Sequence, residues 1–527
     1  MTRIAFPQFT SVVFALIGLM LGSSDVVGQS DPSLTPGSSD ELASVIDRRI
    51  GDVWKQNQVE PAPLADDAEF LRRTYLNIVG RIPSVNEALV FLDNPSPGKR
   101  LALVEQLLDS PGYLSNFTSI WRDIIIPEAG NSSDPFNQNA GNVRQFETWL
   151  RERFERNHGL DRMAREVISG NNEVPSEGNT TAFVRLKESK PENLAAGTAR
   201  AFLGVRLECA QCHNHPFAKW KREDFWKLAA FYGGVQTGES AASGLGSRKI
   251  KIPELDQEVT AAFLDGNTPD FKANSNARAA LAKWVTTTDN SYFAKTCVNR
   301  LWGHFFGMGI VDPIDDFDER NPASHPELLD EIAHAFIAHK YDQKFLIRAI
   351  TRSQPYQLTS RRTHPSQENP RFFARMLVKG LTSDQLFDSL IWATGNVEAQ
   401  QDNPNFFRVD GQRQKFRELF GQHVSAPGEV QTSILQALLM LNGVYVDQAS
   451  SPEQGRTLSA IIESPFFSNE QRLEILFVAA LARPPRPVES ATLLKYVEDE
   501  SQGYNWKQAL GDVYWSLLNS SEFLLNH

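Results

Sequence analysis

Cysteine is so scarce in this chain that cross-links cannot define its fold. The sequence holds three cysteines in 527 residues, whereas small disulfide-built domains devote a far larger share of their residues to cysteine. Hydrophobic residues make up 41% of the sequence, and a chain of this length buries enough of them for two or three cores. The fold must therefore rest on packing.

The charge distribution excludes two classes of partner. The formal net charge is −11, and the charged residues are spread without long runs of one sign. The chain thus lacks the basic patch that is typical of proteins that bind nucleic acid or an anionic membrane surface. We expect no nucleic acid among its partners.

The first 28 residues have the features of a secretory signal. Arg3 precedes an apolar run at residues 12–21, and small and polar residues follow up to Gln29. The run is too short to span a bilayer comfortably, and no later stretch is long enough to cross one. We expect residues 1–28 to be a signal peptide, the protein to be periplasmic or otherwise exported, and no transmembrane span to remain after cleavage. An uncleaved anchor is the alternative.

Helical periodicity dominates the rest of the sequence. After a Pro/Ser/Gly-rich flexible linker at residues 29–39, apolar spacing and turn residues predict helices at 41–55, 66–79, 99–108, 145–154 and 222–232. Capping boxes are predicted at Ser189 with Glu192, Ser324 with Glu327, and Thr382 with Gln385. Glycines are expected to end helices at residues 233–234, 395 and 443.

One interval departs from the helical pattern and divides the chain. Residues 238–266 are rich in glycine and serine, and then alternate through Ile250, Ile252 and Leu255, which indicates a linker with a small β element. The sequence therefore predicts a mainly α fold of two helical domains, at residues 40–237 and 267–527, joined by this linker.

Two of the three cysteines form a C-x-x-C-H motif, at Cys209, Cys212 and His213. Two thiols at this spacing reach the two vinyl groups of one porphyrin, and the adjacent imidazole then lies under the iron as an axial ligand. The motif therefore predicts covalent attachment of a c-type haem, with His213 as the proximal ligand. Export favours this interpretation, because bacterial thioether attachment is completed outside the cytoplasm.

Two other chemistries are open to the same residues. C-x-x-C is also half of a tetrahedral zinc site, which His215 or a distant histidine would complete. The two thiols can instead form a disulfide, which an exported protein permits. Haem c, zinc and a disulfide clip without a cofactor therefore stay open at this point.

Neighbouring residues are compatible with more than one role. Aromatic side chains after the motif would wall a haem or simply pack a helix against its own core: Phe217, Trp220, Phe225, Trp226, Phe231 and Tyr232. An acidic loop lacks the spacing and central glycine of a calcium loop and is expected to be solvated: Asp312, Asp315, Asp316, Asp318 and Glu319. Familiar hydrolase motifs are absent from the sequence.

Several of these segments carry a family resemblance. Residues 202–217 and 220–231 resemble the first of two paired domains of unknown function, fifteen forty-nine followed by fifteen fifty-three, in large exported planctomycete proteins. The second domain is similar at residues 298–302, 315–317, 324–330, 481–485 and 518–523. Proteins of this kind are often linked to, or fused with, cytochrome c domains. The resemblance thus implies a cytochrome-associated protein.

The chain departs from ordinary cytochromes c in its distal ligand. The first methionine after Cys212 is Met308, across the expected domain boundary. An iron held by His213 would then be five-coordinate, with room for a small ligand or peroxide, or would take a second ligand from His215, His304 or His325. His215 is too near the proximal ligand in sequence to reach the opposite face of the ring.

The two distant histidines have ordinary interpretations as well. His304 lies in an aromatic helix, where a histidine is typically a satisfied core residue, and His325 lies in the first turn of a helix, where a surface role is expected.

Two hypotheses about function follow. The first is an exported haem c-binding redox or electron-transfer protein that works with a redox partner protein. The second is a non-catalytic exported scaffold, whose C-x-x-C-H-x-H segment is a zinc or disulfide clip and whose helices bind a partner protein or a cell-envelope component. The colour of the purified protein separates them.

The signal interpretation predicts that the exported protein begins near Gln29, because cleavage follows the small residues after the apolar run. N-terminal sequencing of the protein from the periplasm of an expressing host measures this. Recovery of an intact Met1 from the soluble cytoplasmic fraction would contradict it.

Overall fold

Helices joined by short turns make up most of the protein. The computed structural model describes residues 37–131, 139–235, 248–255, 257–271, 276–395, 413, 416–417, 444–499 and 505–527. The helices of the first half are α1 (Ser39–Gln56), α2 (Asp67–Ile78), α3 (Val85–Leu92), α4 (Lys99–Leu108), α5 (Pro111–Ile125), α6 (Ala140–Glu155), α7 (Leu160–Ser169), α8 (Thr181–Leu186), α9 (Pro191–Thr198) and α10 (Arg222–Ala229). The predicted mainly α fold is confirmed.

The second half continues in the same manner. Its described helices are α11 (Ala277–Val285), α12 (Ser291–Phe306), α13 (Pro326–Ala338), α14 (Gln343–Arg352), α15 (Gln354–Gln357), α16 (Ser383–Thr394), α17 (Val444–Ser450), α18 (Arg456–Glu463), α19 (Asn469–Leu481), α20 (Pro487–Val497), α21 (Trp506–Leu518) and α22 (Ser521–Leu524). In the described residues, no helix has the length and apolar character needed to cross a membrane.

Local chemistry sets several of these boundaries as predicted. At the start of α16 the Thr382 hydroxyl accepts from the Gln385 amide while the Gln385 side chain accepts from the Thr382 amide, which confirms that capping box. The same helix ends at Gly395 in the left-handed conformation, with φ 78°. The stop expected at residue 443 lies outside the described residues.

The two other predicted capping boxes are wrong. Helix α9 begins at Pro191, and its N-cap residue Lys190 makes no side-chain cap hydrogen bond. Helix α13 begins one residue later than predicted, because the Ser324 hydroxyl donates instead to the Ile310 carbonyl at 3.1 Å. The Ser324 hydroxyl thus donates to a distant carbonyl and does not cap the amide three residues on.

Two small antiparallel sheets accompany the helices. Strands β1 (Lys249–Lys251) and β2 (Glu258–Thr260) pair with Ile250 opposite Val259, which confirms a small β element after the Gly/Ser-rich stretch. Strands β3 (Lys379–Gly380) and β4 (Leu525–Asn526) also pair. This second sheet was not predicted, because its two strands of two residues each are 145 positions apart.

Helix α2 lies at the centre of the molecule. Every residue from Glu69 to Ile78 is buried, although the stretch includes two arginines, a glutamate and an asparagine. The Arg73 guanidinium donates to the Glu69 carboxylate at 2.7 Å, to the Tyr356 carbonyl at 2.6 Å and to the His527 carbonyl at 3.1 Å. Buried charge is tolerated here because each group has partners.

The arginine beside it binds the C-terminal segment. Arg72 is 1% exposed, and its guanidinium donates to the backbone carbonyls of Ala480 at 3.2 Å and Phe523 at 2.8 Å. The Asn77 side chain adds a hydrogen bond from Asn526 at 2.9 Å. The helix therefore organises chain that lies more than 400 positions away.

Two hydrophobic cores meet at this helix. The larger extends from Leu42 to Met376, adds Val478, and contains residues on both sides of the 238–266 segment. The smaller combines Leu76 with the C-terminal helices as far as Phe523. The described residues belong to one compact unit. Separation of the chain into halves at 238–266 stays a prediction, and residues 238–247 of that segment lie outside the described part.

We expect Arg73→Met to lower the free energy of unfolding by about 3–5 kcal/mol, because it leaves the Glu69 carboxylate buried without its cation. Arg48→Met is the control, because the Arg48 side chain is 61% exposed and its ion pair with Glu331 is long, at 3.9 Å. This variant should change the free energy of unfolding by less than about 0.5 kcal/mol. Urea unfolding followed by circular dichroism measures both. Equal losses in the two variants would show that the buried pair contributes nothing.

Candidate functional site

The C-x-x-C-H motif lies on one short turn that faces outward. Glu208–Gln211 form a 3₁₀ turn, with Cys212 directly after it. Ala210 is fully buried, whereas Cys209, Cys212 and His213 are all exposed. The turn is thus anchored by its one inward side chain, and the three predicted attachment residues point away from the core.

Helix α10 braces this turn from behind. The Trp226 indole donates to the Gln211 carbonyl at 3.0 Å, and the Arg222 guanidinium donates to the same oxygen at 3.3 Å. The Arg222 amide donates to the Asn214 side chain at 3.0 Å. Because the backbone of the turn is held by hydrogen bonds, the exposed thiols sit on a fixed support.

The chain enters the turn through an unusual helix end. After α9, residues Ala199–Leu203 form one π-helical turn, a rare element that is frequent at functional sites. Gly204 follows with φ 65°, and a Cβ there would lie 2.7 Å from both the Phe317 ring and the Thr296 hydroxyl. Only glycine meets both requirements, the left-handed conformation and the close approach.

The two histidines of the motif segment differ in tautomer. His213 Nδ1 lies 2.7 Å from the Asn214 carbonyl; a carbonyl only accepts, so Nδ1 carries the proton and Nε2 of the neutral ring keeps a free lone pair. His215 Nδ1 instead accepts from the amides of Phe217 and Ala218, at 3.2 and 2.8 Å. Its neutral ring therefore carries the proton on Nε2, and only His213 is poised to bind a metal through Nε2.

The motif residues do not converge on a single point. Within the described residues, no group of three or more histidine, cysteine, aspartate or glutamate side chains is placed to share one metal ion. The thiols of Cys209 and Cys212 are both free.

His304, a candidate distal ligand, lies elsewhere in the core. Its Nε2 donates to the Asn77 carbonyl of α2 at 2.8 Å, and its own carbonyl accepts from Lys379. Burial, with a smaller effect from the Lys379 charge, lowers the pKa of His304 to about 3. The nitrogen that would bind iron is thus already used in a structural hydrogen bond.

His325 is not at the surface, where the sequence placed it. It is 4% exposed, its Nδ1 lies 3.1 Å from the Ser324 hydroxyl, and its ring centroid lies 5.5 Å from that of Phe373. Its Nε2 has no hydrogen-bond partner among the described residues. Burial lowers the pKa of His325 to about 4. The expected surface role is wrong because His325, the N-cap residue of α13, packs against Phe373.

The aromatic residues after the motif divide into two groups. Five of them are at least 94% buried and belong to the larger core: Trp220, Phe225, Trp226, Phe231 and Tyr232. Phe217 alone is 71% exposed, with the Arg320 guanidinium 5.2 Å from its ring centroid. The buried set supports the motif from inside, and Phe217 is the aromatic side chain that remains available.

The acidic loop is paired with arginines. Asp315 accepts from the Arg206 guanidinium at 2.9 Å, and Asp318 accepts from Arg320 at 3.0 Å. Burial raises the pKa of Asp318, but hydrogen bonds and charge from Arg320, with a smaller effect from His215, lower it overall. The loop therefore ties the second half of the chain to the motif segment.

Two family models match parts of this chain. Residues 45–237 match PSCyt2, a protein of unknown function (DUF1549). Residues 277–422 match PSD1, a protein of unknown function (DUF1553). The chain carries both domains, in that order. The motif turn lies within the PSCyt2 match, and α12 and the acidic loop lie within the PSD1 match.

No curated protein matches the chain. No solved structure matches it either.

Sequence reasoning missed the residues that support the motif. Arg222 and Trp226 were placed in a helix, but their side-chain bonds to the Gln211 carbonyl depend on how that helix packs against the turn. Gly204 is the sequence signal that points to this support, because a glycine shortly before a candidate site often marks a close approach of the backbone to other residues.

The lowered pKa values of His304 and His325 predict that the protein loses stability in weak acid. Their folded pKa values lie below that of an unfolded histidine, so the unfolded chain takes up protons first as the pH falls below about 6.5, and each such histidine costs on the order of 2 kcal/mol by pH 5. His304→Gln keeps a donor towards Asn77 and cannot titrate, so the fall in unfolding free energy between pH 7 and pH 5 should shrink by about 1–2 kcal/mol.

His334→Gln is the control for this experiment, because it replaces a histidine whose side chain is exposed. Urea unfolding at pH 7, 6 and 5 gives the slope of unfolding free energy against pH for the wild type and for each of the two variants. An unchanged slope in His304→Gln would show that His304 takes up its proton equally in both states.

Proposed function

We propose that this protein is an exported haem c protein that carries electrons, with Cys209 and Cys212 as thioether attachment points and His213 as the proximal ligand. The observation that carries the proposal is the tautomer of His213: Nδ1 donates to a backbone carbonyl and leaves Nε2 free. Iron-binding histidines are typically oriented by such a bond on the other ring nitrogen.

The exposure of the turn supports the same role. Cys209, Cys212 and His213 are exposed while Ala210 is buried, so a group attached here lies at the surface. A haem supplies a one-electron iron couple. The chain's own contribution is to fix the attachment turn through Arg222 and Trp226 and to leave an edge that a redox partner protein can approach.

The iron would lack an internal distal ligand from the described histidines. His215 Nε2 carries the proton of the neutral ring, and His304 Nε2 donates to a carbonyl. His325 is enclosed beside Phe373. We therefore expect the iron to be five-coordinate or to take its sixth ligand from solvent.

Expression with a c-type haem maturation system tests the proposal. The purified protein should carry one covalent haem whose pyridine haemochrome spectrum survives acid-acetone extraction. Cys209→Ala and Cys212→Ala should each leave one thioether, and the double variant should lose the covalent haem. His213→Ala should abolish proximal ligation, because it removes the only motif nitrogen with a free lone pair.

His215→Ala is the matched control, two residues away on the same segment, and should leave the spectrum nearly unchanged. A zinc site predicts a different ranking, since zinc would be lost with either cysteine and with His215. A colourless wild-type protein that contains stoichiometric zinc, or a Cys209–Cys212 disulfide by mass, would reject the haem proposal in favour of the scaffold.

A further inference from the structure

A cavity of about 540 Å³ lies beside the motif segment. One wall is residues 217–220, directly after the motif, and the opposite wall is the 317–323 loop with the first turns of α12 and α13. Its volume lies within the range of roughly 300–1,000 Å³ that is usual for small-molecule sites. None of Cys209, Cys212 and His213 lines it, so it is distinct from the proposed attachment site.

The charges around this cavity cancel in pairs. Lys219 lies 3.9 Å from Glu319, and Arg320 lies 3.0 Å from Asp318. Lys295 forms an ion pair with Asp330. All six residues line the cavity, which therefore presents many polar atoms and no excess of either charge.

A charged ligand is disfavoured by this arrangement. Because the lining carries three cations and three anions, a ligand of either charge meets as much repulsion as attraction from it. A neutral ligand with hydroxyl groups has donors and acceptors together, so it can bond to the outward atoms of paired side chains without separating them.

Four aromatic side chains add apolar surface to the lining. Phe217, Trp220, Tyr292 and Phe317 all border the cavity. Phe217 is 71% exposed, so its ring is accessible to a ligand in the cavity. Since Arg320 lies over the Phe217 ring at 5.2 Å, the ring is also held in place at the cavity edge.

We propose that this cavity binds a neutral carbohydrate. A sugar ring has an apolar C–H face, which packs on an aromatic ring, and a rim of hydroxyl groups that both donate and accept. The aromatic rings and the charge-balanced rim of the cavity match those two surfaces. The assignment rests on the residues that line the cavity and is independent of the proposed haem.

Calorimetric titration of the full-length protein with three neutral trisaccharides tests this: cellotriose, maltotriose and tri-N-acetylchitotriose. At least one should bind in the millimolar range or tighter, and trigalacturonate and triglycine should bind at least about tenfold more weakly than that sugar. No binding by any of the three sugars, or tighter binding of the acid or the peptide, would overturn the proposal.

Phe217→Ala should weaken sugar binding by about tenfold or more without lowering the melting temperature, because the side chain is exposed. Phe466→Ala is the matched control, since Phe466 is 87% exposed and does not line the cavity; it should bind as the wild type does. Asp330→Asn, which breaks one pair in the lining, should also weaken binding. Equal affinities in Phe217→Ala and Phe466→Ala would reject this site.

These titrations give the same answer whether or not haem is attached, because they measure heat and not colour. A colourless protein that binds the sugar would reject only the haem proposal. A haem protein that binds none of the sugars would reject only the carbohydrate site.

Discussion

The buried guanidinium groups of α2 are the interaction on which the rest of the structure depends. Arg72 and Arg73 direct their donors to carbonyl groups of distant segments, and Glu69 supplies the balancing charge. Burial would raise the pKa of Glu69, but Arg73 and hydrogen bonds from Thr359 and Ser360 outweigh it and hold the pKa below its ordinary value. The carboxylate thus stays ionised, and both cores are joined to one helix.

The candidate site rests on a smaller version of the same principle. Ala210 fixes the turn by burial, while Trp226 and Arg222 satisfy the Gln211 carbonyl. The side chains of Cys209, Cys212 and His213 are exposed and contribute nothing to the core.

The sequence alone predicted features that depend on neighbouring residues. The bounds of α4, Lys99–Leu108, follow from apolar spacing and a nearby Pro111, and the Thr382 capping box needs only residues three positions apart. Features that depend on distant partners were missed or misplaced. Ser324 left its predicted cap for the Ile310 carbonyl, and His325 became buried because Phe373 packs against it.

The same limit applies to the functional residues. Spacing marked Cys209, Cys212 and His213 as candidate cofactor-binding residues, whereas the tautomers that distinguish His213 from His215 depend on local backbone geometry that no pattern records. The cavity was not predicted, because its two walls come from segments about a hundred residues apart. Its charge balance is visible only when the pairs are placed in space.

The distance along the chain between Arg72 and its acceptors has a consequence for the order of folding. The carbonyl of Glu522 that Arg72 binds lies 450 positions later, so during synthesis α2 emerges long before its partners exist. Its guanidinium groups must stay hydrated until then, and the helix cannot be sealed into the core by early, local contacts. The residues translated near position 522 therefore complete a helix that was translated 450 positions earlier.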